Sequence, residues 1–361
     1  MRSPSTGGVG VPFSARFHSA RSGRQPDGMP VEGLQMSRVA GFFHQPVMVA
    51  EVVELFAPVP PGVLLDATAG GGGHSKAVLG AYPHLRVLAV DQDPDAVTAA
   101  GEALAPFASR AEVHRARFDQ VAAVAARAGV AALSGALFDL GVSSSQLDRP
   151  DRGFSYWYDA PLDMRMDRSA GRDAAAIVNE WSEGDLAALF SEHGESRFAR
   201  RIARAVVAAR PLATTAELAE VVRLAIPAAA RRRGGHPARR VFQAVRVAVN
   251  DELGILPGAL DDALGLLAPG GRCVVLAYHS GEDRVVKDRF VHAATGGCTC
   301  PPGLPCVCGA RPTVRILNRG ARKPTAAEVA ANPRAQSARL RAAEAGQRVE
   351  AGQRVEAGEE Q

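Results

Sequence analysis

A glycine-rich loop with an acidic residue in front of it is the first part of the sequence that could bind a ligand. It reads Asp66-Ala67-Thr68-Ala69-Gly70-Gly71-Gly72-Gly73-His74-Ser75, and its glycines would let the backbone approach a ligand closely. No Gly-Lys-Ser/Thr closes the run as in a P-loop, and Ser75 stands where a dinucleotide fingerprint needs its third glycine. The Asp66 carboxylate would attract the sulfonium and ammonium groups of S-adenosylmethionine and repel a pyrophosphate. The loop therefore favours a methyl donor over a dinucleotide, with a turn that binds nothing as the alternative.

Three later residues could complete such a site. Asp91 lies 25 positions after Asp66. It could accept hydrogen bonds from both hydroxyls of a ribose, as in dinucleotide folds, or it could cap the helix that follows. Phe118 could pack against an adenine or lie in the core. Asp139 ends a predicted strand, at the place where a methyltransferase brings its acceptor against the donor methyl group.

Alternating strands and helices must position these residues. The sequence predicts strands at 63–66, 86–91, 112–114, 136–139 and 272–278, with helices at 74–80, 94–104 and 121–128 between the first four. This alternation is typical of an α/β fold with a doubly wound, mostly parallel sheet that is Rossmann-like. The carboxyl ends of parallel strands meet at one edge of the sheet. We therefore expect Asp66, Asp91 and Asp139 to converge on one crevice.

A long helical segment interrupts the alternation before the last predicted strand. Roughly 130 residues separate the strands at 136–139 and 272–278, whereas a strand–helix–strand step takes about 30 or more. Helical patterns fill this interval at 174–179, 183–191, 197–209 and 216–224. We predict a methyltransferase domain formed by 43–147 and 236–335. The segment 148–235 would be an inserted helical domain that stands at the mouth of the crevice.

The two ends of the chain show no hydrophobic period. Residues 1–42 form a predicted disordered extension, with translation from Met29 or Met36 and an organellar transit peptide as open alternatives. Residues 336–361 form a predicted low-complexity tail, in which AGQRVE occurs twice in succession. No apolar run reaches the roughly 18 residues that cross a bilayer. We expect a soluble, cytoplasmic protein without a membrane partner.

Arginine supplies nearly all of the positive charge. The formal net charge is +4, and 39 of the 42 basic residues are arginine because only Lys76, Lys287 and Lys323 are lysine. Arginine is the better fork for phosphates and stacks on bases, which suits RNA. A GC-rich genome would produce the same bias, so the positions of the arginines matter more than their number.

The helical insertion carries features that an RNA-binding surface would need. Its basic residues fall into one helix face and one later group: Arg197, Arg200, Arg201 and Arg204, then Arg231, Arg232, Arg233, Arg239 and Arg240. A charge run is commonly a solvated face, but beside a methyl-donor crevice we expect phosphate contact. Four aromatic residues stand where the insertion begins: Phe154, Tyr156, Trp157 and Tyr158. They could stack on a base flipped from its helix, or seal the joint between the domains.

Four of the five cysteines form a cluster near residue 300. They are spaced Cys298-x-Cys300-x5-Cys306-x-Cys308. Four thiolates suit a structural zinc, although Cys-x-Cys pairs are less typical of zinc sites than Cys-x-x-Cys pairs. A reducing cytoplasm disfavours disulfides. Zinc, reduced thiols and disulfides stay open at this point, and we assign no metal to the chain.

Several long motifs resemble one protein family in the same order along the chain. They are FHQPV from Phe43, the GGGGHS loop, DLGVSSSQLD from Asp139, RGFS from Arg152, PLDMRMD from Pro161, RVFQAVRVAVN from Arg240 and HSGEDRVVK from His279. Over about 43–335 the chain resembles the ribosomal RNA small subunit methyltransferase H family, the bacterial 16S rRNA cytosine-N4 methyltransferases. The resemblance implies S-adenosyl-L-methionine as methyl donor. It implies 16S rRNA in the small ribosomal subunit as partner, methylated on one cytosine of the decoding region. A homodimer stays open.

The resemblance also implies which residues form the site. The cofactor-binding residues would be Gly72, Gly73, His74, Asp91, Phe118, Asp139 and Gln146. The amino nitrogen of cytosine is a poor nucleophile because its lone pair is conjugated with the ring, and acceptors that hold its hydrogens would turn that lone pair toward the methyl group. Asp139 is the first candidate for this catalytic role. His279 is the second, as a polar group or proton relay, with a cap at the strand end as the alternative.

Two other functions stay open. A DNA cytosine-N4 methyltransferase would use the same donor, but many amino methyltransferases carry an Asp/Asn-Pro-Pro-aromatic element. The sequence Leu140-Gly141-Val142 lacks it, which argues against that alternative. A non-catalytic RNA-binding assembly factor could have kept the donor pocket. The intact glycine loop, Asp91 and Asp139 favour the enzyme.

Overall fold

One sheet positions the predicted site residues in the computed structural model, which describes residues 46–169, 171–231, 236–301 and 307–346. Its strands are β1 Gly62–Asp66, β2 Leu85–Asp91, β3 Ala111–Arg115, β4 Leu133–Asp139, β5 Leu267–Ala277, β6 Val314–Ile316 and β7 Arg339–Ala345. They lie in the order β3-β2-β1-β4-β5-β7-β6. All pairs from β3 to β5 are parallel. The predicted fold class, a doubly wound and mostly parallel sheet, is confirmed.

Helices connect these strands and form the long segment between β4 and β5. In chain order they are α1 Val49–Phe56, α2 Gly73–Ala81, α3 Pro94–Leu104, α4 Val121–Arg127, α5 Ser144–Asp148, α6 Ala174–Glu180, α7 Glu183–Phe190, α8 Ala199–Ala208, α9 Thr215–Ala225, α10 Ala228–Arg231, α11 Arg239–Asn250, α12 Glu252–Leu266, α13 Ser280–Thr295 and α14 Ala326–Ala331. The predicted helix at 94–104 is confirmed. The Asp93 carboxylate caps α3 by accepting from Asp95 N at 3.0 Å, and Pro94 takes the first helical position.

The boundary predicted at residue 336 is wrong, because strand β7 lies beyond it. β7 runs antiparallel between β5 and β6, and its Leu340, Ala342 and Ala343 are buried. The sequence RLRAAEA lacks the β-branched and aromatic residues that favour strands, so tertiary pairing rather than local pattern makes it one. Most of the AGQRVE repeat falls in residues 347–361, which lie outside the described residues, as do residues 1–45 with the predicted extension.

The two faces of the sheet contribute to separate apolar cores. Successive side chains on a strand point to opposite faces. Accordingly Leu65 and Phe138 pack in a core with α4, α12 and α13. Leu64 and Leu137 pack in a second core with α1, α2 and α3. The near-continuous apolar sequence of β1 and β4 follows from this burial on both faces.

A third core lies within the helical segment. It joins α6 to α9, with Phe190 and Ile202 completely buried in it. Helix α11 belongs to the same core through Val241, Phe242 and Val245. The helical region therefore extends past the boundary predicted at residue 235, because α11 buries its apolar face among the inserted helices. In the described part of the chain, no helix has the length and apolar character needed to cross a bilayer.

Candidate active site

A cavity of about 910 Å³ opens at the carboxyl ends of the central strands. This volume is typical of small-molecule sites, which range over about 300–1,000 Å³. Six of the seven predicted cofactor residues line it: Gly73, His74, Asp91, Phe118, Asp139 and Gln146. Gly72 faces α3 instead of the cavity, and a Cβ atom on it would come 3.2 Å from the Cα of Ala100 in α3. The cavity is also lined by α11 of the helical region, through Arg239, Phe242 and Arg246.

The glycines of the loop permit two close backbone approaches. Gly72 has a φ of +74°, in the left-handed region that favours glycine. A Cβ atom on Gly73 would lie 2.8 Å from Cγ of Pro46, closer than carbon atoms can pack. The segment before α1 therefore rests directly on the start of α2. Gly70 and Gly71 line the cavity beside it.

Asp91 joins the end of β2 to the glycine loop. Its Oδ2 accepts a hydrogen bond from Gly70 N, and its Oδ1 accepts one from Asp93 N, both at 2.9 Å. Burial raises the pKa of Asp91 to about 6, against the lowering effect of these two hydrogen bonds. Each carboxylate oxygen has a further lone pair, so Asp91 can accept additional hydrogen bonds from a ligand in the cavity.

The prediction that Asp66 converges with Asp91 and Asp139 on the crevice is wrong. Asp66 is buried and is not among the residues that line the cavity. Its Oδ2 accepts from the Ser75 hydroxyl at 2.6 Å, and its Oδ1 accepts from Thr68 N at 3.3 Å. Asp66 therefore fixes the shape of the glycine loop from its buried side. Asp91 and Asp139, unlike Asp66, line the cavity.

Asp139, at the end of β4, is bonded to a tyrosine that the sequence analysis missed. The Tyr278 hydroxyl donates to Asp139 Oδ1 at 2.7 Å. The Asp139 N–H donates to the hydroxyl of Thr68 at 2.6 Å, which ties the strand end to the glycine loop. Burial raises the pKa of Tyr278 well above its ordinary value. The phenol therefore stays protonated at neutral pH and can only donate to the carboxylate.

His74 bridges the segment before α1 and Asp139. Its Nε2 lies 2.8 Å from the carbonyl oxygen of Val47. A carbonyl only accepts, so this nitrogen carries a proton. Its Nδ1 lies 3.5 Å from Asp139 Oδ2. His74 thus holds Val47, the last residue of the FHQPV motif, against the site. Phe43, His44 and Gln45 lie outside the described residues.

Both the nitrogen and the oxygen of the Gln146 amide form hydrogen bonds within the protein. Its Nε2 donates to Asp93 Oδ2 at 2.8 Å, and its Oε1 accepts from Ser143 N at 3.0 Å in a capping box. Arg152, which is 3% exposed, binds the same Asp93 oxygen at 2.9 Å. Gln146 and Arg152 therefore join the N-terminus of α3 to the start of the helical region, and Gln146 also lines the cavity.

His279 caps helix α13. Its Nδ1 accepts from Gly281 N at 3.1 Å and from Glu282 N at 3.3 Å, so this nitrogen is unprotonated. Its Nε2 lies 3.0 Å from Glu282 Oε1, but the pair is not aligned as a hydrogen bond. The geometry matches the capping alternative. His279 also lines the cavity, and its role as a proton relay stays a prediction.

A buried charge cluster that the sequence analysis missed stands beside His279. Arg246 of α11 binds both carboxylate oxygens of Glu252, at 2.8 and 2.9 Å, and lies 3.8 Å from Glu282. Burial raises the pKa of Glu252, while Arg246 opposes that effect. The cluster joins the helical region to α12 and α13. The HSGEDRVVK and RVFQAVRVAVN motifs contain two of its members, but their contact depends on the fold.

Aromatic side chains of the sheet and of the helical region line the cavity. Phe118 packs edge-on against Phe138 with ring centroids 6.4 Å apart, and is half-buried. Tyr156 stacks on His236 at 4.5 Å, whereas Trp157 is 70% exposed and Tyr158 is 51% exposed. Phe154 is buried in the core of the helical region. Phe154 and Tyr156 thus pack within the helical region, while Trp157 and Tyr158 are available to a ligand.

The predicted basic face lies on and just before α8. Arg197, Arg200, Arg201 and Arg204 are all exposed, with the apolar face of the helix buried behind them. Arg204 lies 3.5 Å from Glu183. In the later group, Arg239 lines the cavity and Arg240 lies 3.4 Å from Glu195. Arg232 and Arg233 lie outside the described residues.

The strand order and the site together define a Rossmann-like methyltransferase of the class that uses S-adenosyl-L-methionine, the cofactor expected from the sequence. The chain belongs to the MraW methylase family, whose sequence profile matches residues 41–346. It is 51% identical over 306 residues to a Ribosomal RNA small subunit methyltransferase H from Symbiobacterium thermophilum, covering 83% of this chain and 96% of that one. It is 52% identical over 308 residues to the protein of that name from Thermobifida fusca, covering 83% and 93%.

Proposed function

We propose that the chain transfers a methyl group from S-adenosyl-L-methionine to the exocyclic N4 amino group of a cytosine in the decoding region of 16S rRNA. One observation carries the proposal: the Asp139 carboxylate lines the same cavity as Asp91 and the glycine loop. A donor and an acceptor base can therefore meet at one carboxylate. The relatives named Ribosomal RNA small subunit methyltransferase H support ribosomal RNA as the substrate.

The lining residues fit the donor. Asp91 has lone pairs left for the ribose hydroxyls, and the half-buried ring of Phe118 offers an apolar surface for adenine. The carboxylates of Asp91 and Asp139 suit a ligand with two positive groups. The absence of a side chain at Gly73 lets Pro46 pack against the start of α2, and both residues line the cavity. When bound, the donor supplies a methyl group activated by a positively charged sulfur.

Asp139 is the group that would orient the acceptor. Its Oδ1 accepts from Tyr278, and a carboxylate oxygen can accept a second hydrogen bond. An amino hydrogen of cytosine held there leaves the nitrogen lone pair free to turn out of conjugation. No strong base is needed, because the methylated nitrogen loses its proton readily. Tyr278 acts on the reaction through Asp139, so it is a positioning residue.

The helical region would bind the RNA. Trp157 and Tyr158 line the cavity and are largely exposed, so they can stack on a base that leaves its helix. The exposed arginines of α8 belong to the same helical region and can contact RNA phosphates. Aromatic stacking with phosphate contact is the usual combination in single-stranded RNA recognition.

The substrate is tested by following a labelled methyl group. The purified protein is incubated with labelled S-adenosyl-L-methionine and, separately, with 30S subunits, protein-free 16S rRNA and duplex DNA. We expect label in the 30S subunits or their RNA, recovered as N4-methylcytidine after nuclease digestion. Label in DNA alone would establish the DNA methyltransferase alternative. Donor binding without transfer to any substrate would establish the non-catalytic assembly factor.

A further inference from the structure

Three cysteine sulfurs meet on the loop between α13 and β6. The Sγ atoms of Cys298, Cys300 and Cys308 all lie within 4.8 Å of one another. Cys298 and Cys308 are 3.6 Å apart, far longer than the roughly 2.05 Å of a disulfide bond. Two thiolates on a tetrahedral zinc, with bonds of about 2.3 Å, would lie about 3.8 Å apart. The spacing therefore matches a shared metal ion. Cys306 lies outside the described residues.

The loop has no apolar core of its own. Within its described parts, 296–301 and 307–313, no side chain is buried. The backbone is nevertheless tightly folded, since a Cβ atom on Gly296 would lie within 2.6 Å of three backbone atoms of Arg311. A segment that folds tightly without burying side chains commonly depends on a disulfide or a metal. The sulfur distances point to the metal.

Backbone N–H groups converge on the sulfur of one cysteine. The N–H groups of Val307 and Cys308 donate hydrogen bonds to the sulfur of Cys300. The thiolate is the form that binds a metal, and a zinc-bound thiolate keeps the capacity to accept such hydrogen bonds. The N–H donors come from the segment that carries Cys308. The two halves of the cluster are therefore held together before a metal enters.

The position of the cluster excludes a part in the chemistry. Helix α13 has 16 residues and is therefore about 24 Å long. His279, at its N-terminus, lines the cavity, whereas Cys298 follows its other end. A metal held there cannot touch the reacting atoms. It would instead fix the connection to β6, next to the hydrogen bond from Thr313 N to the Ala293 carbonyl at 2.9 Å.

We propose that Cys298, Cys300 and Cys308 bind one zinc ion that holds the end of α13 to β6. The three thiols lose their protons on binding, and a further donor completes the tetrahedron. The ion is structural, so this site is independent of the proposed methyl transfer.

The metal content of the full-length protein tests this proposal. We expect one zinc per chain by elemental analysis after purification without chelators. Replacing the zinc by Co²⁺ should give an intense thiolate-to-cobalt charge-transfer band and the visible bands of a tetrahedral site. The variants Cys298→Ser and Cys308→Ser should each retain about a tenth of the zinc or less. The matched control is Cys273→Ala, which removes a buried cysteine of β5 and should keep one zinc per chain.

If a variant fails to fold, measurements on the unmodified protein still test the zinc proposal. Zinc-free folded protein that binds no Co²⁺ and in which Cys298, Cys300 and Cys308 all react with a thiol reagent would overturn the proposal. A disulfide between any two of the three cysteines, detected by mass spectrometry of unreduced protein, would overturn it too. Zinc retained at one per chain in folded Cys298→Ser and Cys308→Ser would show that the ion lies elsewhere.

Discussion

The hydroxyl of Tyr278 donates a hydrogen bond of 2.7 Å to Oδ1 of Asp139. The two residues are brought together by the sheet, since Asp139 ends β4 and Tyr278 follows the last residue of β5, its parallel neighbour. Strand pairing between β4 and β5 therefore sets the position of the carboxylate that we assign to the acceptor amino group. Tyr278 holds that carboxylate from the side of β5.

Tyr278→Phe should lower the rate of methyl transfer about tenfold, because a hydrogen bond to a charged group contributes about 1.5 kcal/mol. Donor affinity should change little, since the carboxylate remains. The control is Tyr82→Phe, which loses a hydrogen bond of the same 2.7 Å length to the Val53 carbonyl outside the cavity. Single-turnover rates on 30S subunits measure both variants. Equal rates for Tyr278→Phe and Tyr82→Phe would show that the hydroxyl does not position Asp139.

Gly73→Ala should weaken donor binding by at least about tenfold, because its Cβ atom would lie 2.8 Å from Pro46 and push apart two segments that line the cavity. Gly80→Ala is the matched control, since it lies in the same helix and has open space around a Cβ atom. It should leave donor affinity unchanged and stabilise the fold by about 0.5–1 kcal/mol. Calorimetric titration with S-adenosyl-L-methionine compares them. Wild-type affinity in Gly73→Ala would show that the glycine loop is not part of the donor site.

Donor affinity should rise with pH and level off above about pH 6. Burial raises the pKa of Asp91 to about 6, and only the ionised form can accept from both ribose hydroxyls. The same shift means that Asp91 favours folding at low pH, and that this contribution is lost as pH rises from about 4 through about 6. Asp91→Asn should bind the donor weakly with a flattened pH profile. An unchanged profile in that variant would assign the pH dependence to another group.

The sequence predicted where a ligand binds better than it predicted the contacts between individual side chains. Strand ends with acidic residues predicted the cavity, because parallel strands bring their carboxyl ends together whatever the loops do. The orientation of Asp66 was not predictable, since it depends on the Ser75 hydroxyl reaching back across the loop. Tyr278 was missed because its partner Asp139 is distant in sequence. Arg246 was missed because its contacts with Glu252 and the buried Glu282 depend on how α11, α12 and α13 meet.

Local sequence patterns also could not predict where the helical region and the sheet end along the chain. Helix α11 carries one of the motifs that resemble the family, yet its apolar face packs with the inserted helices. Strand β7 is alanine-rich, and only its place between β5 and β6 makes it a strand. Local propensity cannot report such pairing, because the stabilising partners lie far away along the chain.

Arg201→Gln should weaken binding to 16S rRNA and reduce the dependence of the affinity on salt. Removing one phosphate contact lowers the slope of log K against log salt concentration by about 1. Arg127→Gln is the control, because Arg127 is exposed on α4 of the sheet domain. It should leave the slope unchanged. Equal slopes for Arg201→Gln and the unmodified protein would mean that this face of α8 is only solvated.

The role of Asp139 in methyl transfer is measured by single-turnover methylation of 30S subunits by Asp139→Asn, with the product identified as N4-methylcytidine. The amide keeps the size of the side chain and an oxygen for Tyr278, but it loses the negative charge that holds the amino group. We expect a rate about 100-fold below that of the unmodified protein, with donor affinity within about tenfold. Methylation by Asp139→Asn at the unmodified rate would contradict this role.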